Sequence, residues 1–448
     1  MKRVFPLILC GVLAASAHAQ PLVVAPSTPA QEAQKRAEIV ARREASKASK
    51  TVAPGSGFYF LLLAAEMTND AFDLPVAWPD EETPEQIEAY EREDAARRVK
   101  QAKFLELHGA EALHLLRIAL EKGIERPVID GQPFDYDAGD HNYRRYFGQL
   151  GQALMQESAT RLAAGDAKGA LESRLDCVEL GVVTSDGSFS DLMMGASGQG
   201  GGRQKLGPIV ALLDAASCRT AAARLAKIEA KRAPFAVNVA VMSGFYFLRA
   251  LKMLNDENVR KALASPERRF QFGYEDKGIS EADARRVLAL TPETLRQSID
   301  RYYAAIANTT LPFPQAQALR VPADLKFLDI LDVPVLILKE PAQRFIYEQS
   351  VLENRLLIAA LELRAIKLET GAYPSQFDAP IDPFSFPSQR LIYKLNDGKP
   401  QLYSVGPDGV DNGAAPPQTP WTDEETGKTT VRRGLSAEAT GDISATLF

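Results

Sequence analysis

The sequence is poor in the residues that usually carry chemistry. Its 448 residues hold three cysteines, four histidines and two tryptophans. There is no H-E-x-x-H and no C-x-x-C, which argues against a zinc site. There is no cationic excess: the net charge is -6, which disfavours a nucleic-acid binder that would need a basic face. Outside the N-terminus no run of about 18 uncharged apolar residues occurs, so no membrane-spanning segment is expected in the mature chain. Abundant leucine and alanine instead point to helices, and the length suits two or three domains.

The N-terminus reads as an export signal. Lys2 and Arg3 precede the apolar stretch Val4 to Ala15, and Ala17-His18-Ala19 is an A-x-A cleavage site. Residues 1–19 are therefore expected to be a signal peptide, with the mature protein in the periplasm or cell envelope. Cys177 and Cys218 remain after cleavage; an oxidising compartment permits a bridge between them without requiring it. Residues 20–55 are rich in Ala, Pro, Ser and Lys and read as a flexible, solvated linker.

An apolar body begins near Gly57. Phe58 to Ala65 is an uninterrupted apolar run, and its opening recurs: Ser56-Gly57-Phe58-Tyr59-Phe60-Leu61 matches Ser243-Gly244-Phe245-Tyr246-Phe247-Leu248. Met and Asn-Asp follow in both copies, which suggests a duplicated helical unit with repeats starting near 56 and 243. Thr83 and Pro84 make a helix start, and the pattern runs to Leu107, then from Ala110 to Glu121, ending at Gly123. Tyr143 to Ala164 and Ala167 to Leu180 read as an antiparallel hairpin joined through Gly165-Asp166. One helix is expected over Leu206 to Lys231, and further helices near Ser280 to Leu290 and Pro292 to Ala307. Leu311 to Asp332 is Pro-rich and reads as a crossing loop with short elements. A long helix from about Ala342 to Glu369 stops at Gly371.

Beyond Gly371 the pattern changes. Arg390 to Leu395 and Gln401 to Val405 read as a β-hairpin whose turn, at Asn396-Asp397-Gly398, is slightly longer than two residues. Ala414 to Gly434 reads as irregular. The fold class is thus mainly α: antiparallel helical hairpins, with a candidate duplication, over 56–341, then a long helix and a small α+β head over 342–448.

The residues "LELRAIKLETGAYPSQ" (Leu361 to Gln376), "DPF" (Asp382 to Phe384), "IYKL" (Ile392 to Leu395) and "LYSVGPDGVDNG" (Leu402 to Gly413) resemble the globular head of the major pseudopilins of type II secretion systems. A similar head occurs in exported, largely helical bacterial proteins of unknown activity. The resemblance implies a short sheet behind the long helix and a calcium-binding loop. Asp408 and Asp411 lie in that loop, and Asp442 matches the late aspartate of the pseudopilin site. Calcium takes six to eight oxygen ligands, which a carboxylate-rich turn can supply. Departures from a filament subunit are clear: Leu62 occupies the position of the pseudopilin glutamate, and the helix entering the head carries Glu353, Arg355 and Glu362.

Other clusters carry less. His108 and His114 are not at ligand spacing on one helix face, and His114 reads as a satisfied core histidine. Gly195-Ala196-Ser197-Gly198 is not a nucleophile elbow. The run Gly195 to Gly202, with Arg203 and Lys205, could present amides to an anion but reads better as a small-residue contact or loop. Asp135, Asp137, Asp140, His141, Tyr143, Arg144 and Arg145 form the densest polar–aromatic patch, either a groove or a helix start. The functional expectation is a non-catalytic scaffold or interaction protein of the bacterial envelope with a protein or peptide partner. An envelope hydrolase using that patch, or an accessory of a secretion or pilus-like assembly, are the alternatives.

Overall fold

The computed structural model describes residues 52–53, 55–69, 83–129, 132–134, 136, 143–265, 280–306, 311, 313–316, 319, 322–331, 341–385, 389–422, 429–433, 436–437, 439–440 and 441–445. The protein is mainly helical with a small three-stranded antiparallel sheet. It divides into two compact units: Met1–Gly181 with Ser197–Leu213, and Val182–Ala196 with Asp214–Phe448. The expected signal peptide and nearly all of the expected linker lie outside the described residues.

In the first unit, α1 (Gly57–Asn69) is apolar on every side, so it can be stable only when surrounded. Phe58, Leu61, Leu62, Ala64 and Ala65 are all buried, and α2 (Pro84–Lys122) and α3 (Tyr143–Ala163) pack against it. The start of α2 is fixed locally. Thr83 Oγ1 accepts from Gln86 N at 3.3 Å and Gln86 returns the bond to Thr83 N, a capping box. The two stretches read separately in the sequence are one continuous helix, since the glycine between them costs only about 1 kcal/mol. A short hairpin, β1 (Val128–Ile129) and β2 (Gln132–Pro133), follows. Phe134 and Tyr136 stack with Phe58, Tyr143 and Phe147 into an aromatic core.

The expected hairpin is formed by α3 and α4 (Ala167–Val183). Gly165 supplies the left-handed turn (φ +82°), and Asp166 accepts from Gly169 N at 2.7 Å. An ion cluster ties α2, α3 and α4 together. Arg117 bonds both carboxylate oxygens of Glu157 and donates to Asp176 at 2.8 Å, while Ser173 Oγ donates to Glu157 at 2.6 Å. Burial alone would raise the Glu157 carboxyl, but Arg117, Ser173 and Arg161 hold it below the usual range. Its folded-state pKa therefore lies under its unfolded one, and the stabilisation fades as pH falls through the folded value. Glu157→Gln is expected to cost about 2 kcal/mol at neutral pH. Urea unfolding at pH 7 and pH 3 should show a smaller acid loss for the variant than for the wild type.

The expected single helix over Leu206 to Lys231 is corrected to two. A short α6 (Gly207–Val210) precedes α7 (Ala215–Ala230), after α5 (Phe189–Arg203). Asp214 interrupts the pattern because its backbone is extended and its carboxylate accepts from Ser217 N at 2.7 Å, an N-cap that starts a new helix. Cys177 and Cys218 are free, buried thiols, and burial pushes the Cys177 thiol up to about 12.

In the second unit, α8 (Phe235–Asn255), α9 (Glu257–Ala264), α10 (Glu281–Leu288) and α11 (Pro292–Ile306) share a core. The Pro-rich segment contributes α12 (Phe313–Ala316) and a 3-10 helix (Ala323–Leu331) whose Leu325, Phe327, Leu328, Ile330 and Leu331 are buried in the unit. The second SGFYFL copy lies in the middle of α8, but Leu248 is 38% exposed where its counterpart Leu61 is fully buried.

The long helix α13 (Pro341–Thr370) ends at Gly371 (φ +82°). One face packs on α7, where Arg219 donates to Glu369 at 2.8 Å and to Glu362 at 2.9 Å. Leu352, Leu356, Ala359 and Leu363 instead meet Phe384, Leu391, Leu402 and Ile443 in the head core. The sheet order is β3 (Ile392–Asn396), β4 (Lys399–Ser404), β7 (Ile443–Ser444), all antiparallel. Asn396 pairs with Lys399, so the loop is Asp397-Gly398 alone, both at positive φ (+49° and +74°), shorter than the sequence suggested. The expected irregular tail is also corrected. β5 (Gln418–Thr422) and β6 (Thr429–Arg433) form a hairpin, because β-branched and aromatic residues pair in register despite the Pro/Thr/Glu-rich composition.

Candidate functional site

The loop from Gly406 to Gly413 follows β4 and is built from turn chemistry. Gly406 and Gly409 both sit at φ +70°, where a side chain is disfavoured. Asp408 folds back on the loop: its carboxylate accepts from Val410 N at 3.1 Å, Asn412 Nδ2 at 3.2 Å and Gly441 N at 3.2 Å. Asp411 accepts from Gly413 N and the Tyr403 hydroxyl, each at 2.9 Å, with Lys394 Nζ at 3.7 Å. Asp442 arrives next to β7, far along the chain, and accepts from Asn412 N at 3.2 Å and Ala414 N at 2.5 Å. Thus all three sequence-predicted residues meet on one loop.

Their electrostatics differ. The Gly413 amide, with Tyr403 and Lys394, holds the Asp411 carboxyl below the usual range. Burial raises Asp442, and the charges of Asp411 and Asp408 raise it further against the two amides that favour ionisation. The loop therefore gathers carboxylates within a hydrogen-bonded turn, with Lys394 close to Asp411. Carboxylate oxygens are the donor type that a hard divalent cation takes. Asp408, Asp411 and Asp442 would supply carboxylate oxygens, and calcium there would supply cross-linking charge, not reactivity. Among the described residues, no three His, Cys, Asp or Glu side chains form a ready metal-holding group; the carboxylates are turned toward backbone amides.

One residue central to this loop has only the D-P-F turn as its sequence signal. Asp382 is buried and accepts from Ser404 Oγ at 2.8 Å, Val405 N at 2.9 Å and Phe384 N at 3.0 Å. It anchors the end of β4, from which the loop departs. The D-P-F turn was the available signal, since Asp before Pro marks an Asx-type turn.

The other sequence candidates do not assemble into a described site. Asp135, Asp137, Asp140 and His141 lie outside the described residues. Helix α3 opens at Tyr143, just after them, and Tyr143 is a buried core residue whose hydroxyl donates to Glu66 at 2.7 Å. His114 is exposed, a correction to the core reading, because α2 turns that position away from the buried Leu113, Leu115 and Leu116. Gly195 to Gly202 lies inside α5, so its amides serve a helix and not an anion-binding loop. Gly202 packs there against Arg174 O and Val178.

None of the family models, curated proteins or solved structures compared with the chain matches it.

Proposed function

We propose that this chain is an exported, non-catalytic scaffold of the bacterial envelope, presenting a pseudopilin-like head whose Gly406–Gly413 loop is locked by calcium. The observation that carries the reading is the convergence of Asp408, Asp411 and Asp442 on one glycine-punctuated loop. Carboxylates crowded together with one lysine nearby gain from a cation that relieves their repulsion. A scaffold is further supported by what the charged groups do. Arg117 bridges two helices' carboxylates, and Arg219 clamps α7 to α13; these are struts between helices. The repeated GFYFL segments, both helical, favour an ancestral duplication of the helical body.

The test is thermal unfolding of the full chain in calcium and in chelator. Calcium at about a hundredfold over its Kd should add about 2.7 kcal/mol, with the transition moving upward accordingly. Asp408→Asn keeps a hydrogen-bond acceptor and removes a charge. It should leave the melting temperature in chelator near wild type and abolish the calcium shift. Identical transitions with and without calcium for the wild type would reject the metal site. Export is checked separately by the N-terminal sequence of protein recovered from the envelope fraction, expected to start at Gln20.

A further inference from the structure

The carboxylate oxygens gathered at the Gly406–Gly413 loop are not equivalent. Asp408 Oδ1 accepts from Val410 N, and its Oδ2 accepts from Asn412 Nδ2 and Gly441 N. Asp442 Oδ1 accepts from Asn412 N, and its Oδ2 from Ala414 N. Asp411 is different. Both its donors, Gly413 N and the Tyr403 hydroxyl, fall on Oδ1. Among the described residues no N–H or O–H donates to its Oδ2, which instead faces the Lys394 ammonium at 3.7 Å. Lys394 is also the one cation, among the described residues, that pairs with any of the three carboxylates.

Strand register delivers that ammonium to the loop. Lys394 stands opposite Gln401 and Ile392 opposite Tyr403, so Lys394 and Tyr403 share one face of the β3–β4 pair. Lys394 Nζ donates to the Tyr403 hydroxyl and lies 5.1 Å from the centre of its ring. The hydroxyl in turn donates to Asp411 Oδ1 at 2.9 Å. Tyr403 is buried and held in place, whereas the Lys394 side chain is 44% exposed and free to turn outward. An exposed lysine–carboxylate pair is weak and opens readily to water. A hard cation entering the loop needs carboxylate oxygens. The one oxygen without an N–H or O–H donor is already faced by a positive charge. Two cations drawing on one oxygen repel each other, so the ammonium has to swing out as the metal arrives.

We propose that Lys394 is a tethered competitor for calcium: it holds the place beside Asp411 Oδ2 when the metal is absent and sets the calcium affinity by having to leave. The inference rests on the calcium reading of the loop and adds the regulation of that same site. A dication about 5 Å from an ammonium, in a water-like medium at moderate salt, is opposed by roughly tenfold in affinity. Calcium is therefore titrated calorimetrically into metal-free, full-length protein in about 0.1 M salt, which screens distant charges. Lys394→Gln should bind calcium roughly tenfold more tightly than the wild type. Lys394→Arg keeps the charge and should stay near the wild-type Kd.

Lys399→Gln is the control for diffuse charge. Lys399 belongs to the same hairpin, at its turn opposite Asn396, and among the described residues it pairs with none of the three carboxylates. Its removal should leave the Kd unchanged. The three side chains replaced or compared lie on partly open strands, so the wild-type circular dichroism should be retained. Calcium binding by Lys394→Gln with none by the wild type would support the competitor in its strongest form. Equal Kd values for the wild type and Lys394→Gln, or the same gain from Lys399→Gln, would overturn the proposal and leave calcium at the loop. Absence of binding in both the wild type and Lys394→Gln would overturn the calcium reading and the proposal together.

Discussion

Asp382→Ala is expected to destabilise the head by about 3 kcal/mol. The carboxylate is buried and satisfies Phe384 N, Val405 N and Ser404 Oγ at once. Alanine would strand these donors at the junction of the D-P-F turn and strand β4, from which the candidate calcium loop leaves. Asp382→Asn keeps an acceptor but turns a donor toward one of those N–H groups, so an intermediate loss is expected. The pH dependence separates charge from hydrogen bonding. Burial raises the Asp382 carboxyl above its ordinary value, although the two amides, Ser404 and Arg355 oppose this. A carboxyl with a raised folded-state pKa stabilises the fold most when protonated. Its contribution diminishes as pH rises from the unfolded pKa through the folded one. Wild-type protein should therefore lose stability through this group over that acidic window, and Asp382→Asn should not. Chemical denaturation across the window, followed by tyrosine signals from the head, measures the difference.

Gly57→Ala should be as costly for the first unit, again about 3 kcal/mol, at the upper end of what overpacking produces. The α-carbon of Gly57 lies against the end of α2. A Cβ there would collide with the Gly123 carbonyl and come within 2.9 Å of Ala119 O. Both obstacles are backbone, so no side-chain rotation relieves them. The helix start would have to move away from α2 and open the packing of Phe58 and Leu61. Gly148→Ala is the control, since a Cβ at that position meets nothing within 4 Å. It should be neutral or slightly stabilising, as expected for glycine replaced inside a helix. Thermal unfolding of both variants provides the comparison.

Much of the helical framework is written locally. Thr83 with Gln86 begins α2, Ser280 begins α10, and Gly371 at positive φ ends α13; each signal acts within one turn of the helix end it sets. Asp214 is a signal of the same kind, but it sits inside an apolar run, and the 3.6-residue period on both sides concealed the break. The β5–β6 hairpin was hidden for another reason. Thr, Pro and Glu dominate that composition, and strand pairing depends on a partner that local reading does not supply. His114 is exposed between buried leucines, because neighbouring leucines mark a helix as buried without fixing where one position points.

The candidate loop divides in the same way. Asp408 and Asp411 stand out in "VGPDGVDNG" because glycines and aspartates that close make a turn wherever they occur. Asp442 is linked to them in the sequence only through a resemblance, and Asp382 carries only a turn signal, because their roles depend on antiparallel pairing of β4 with β7 and on the burial of the D-P-F turn. By itself, the sequence determined helix ends, tight turns and the mainly helical class, since these follow from dihedral preferences and hydrogen bonds a few residues apart. Tertiary structure alone decided which apolar positions were covered and which left open, as the shared SGFYFL segment demonstrates at Leu61, buried, and Leu248, exposed. Burial is a property of what lies opposite a side chain, and the residues opposite come from distant parts of the chain.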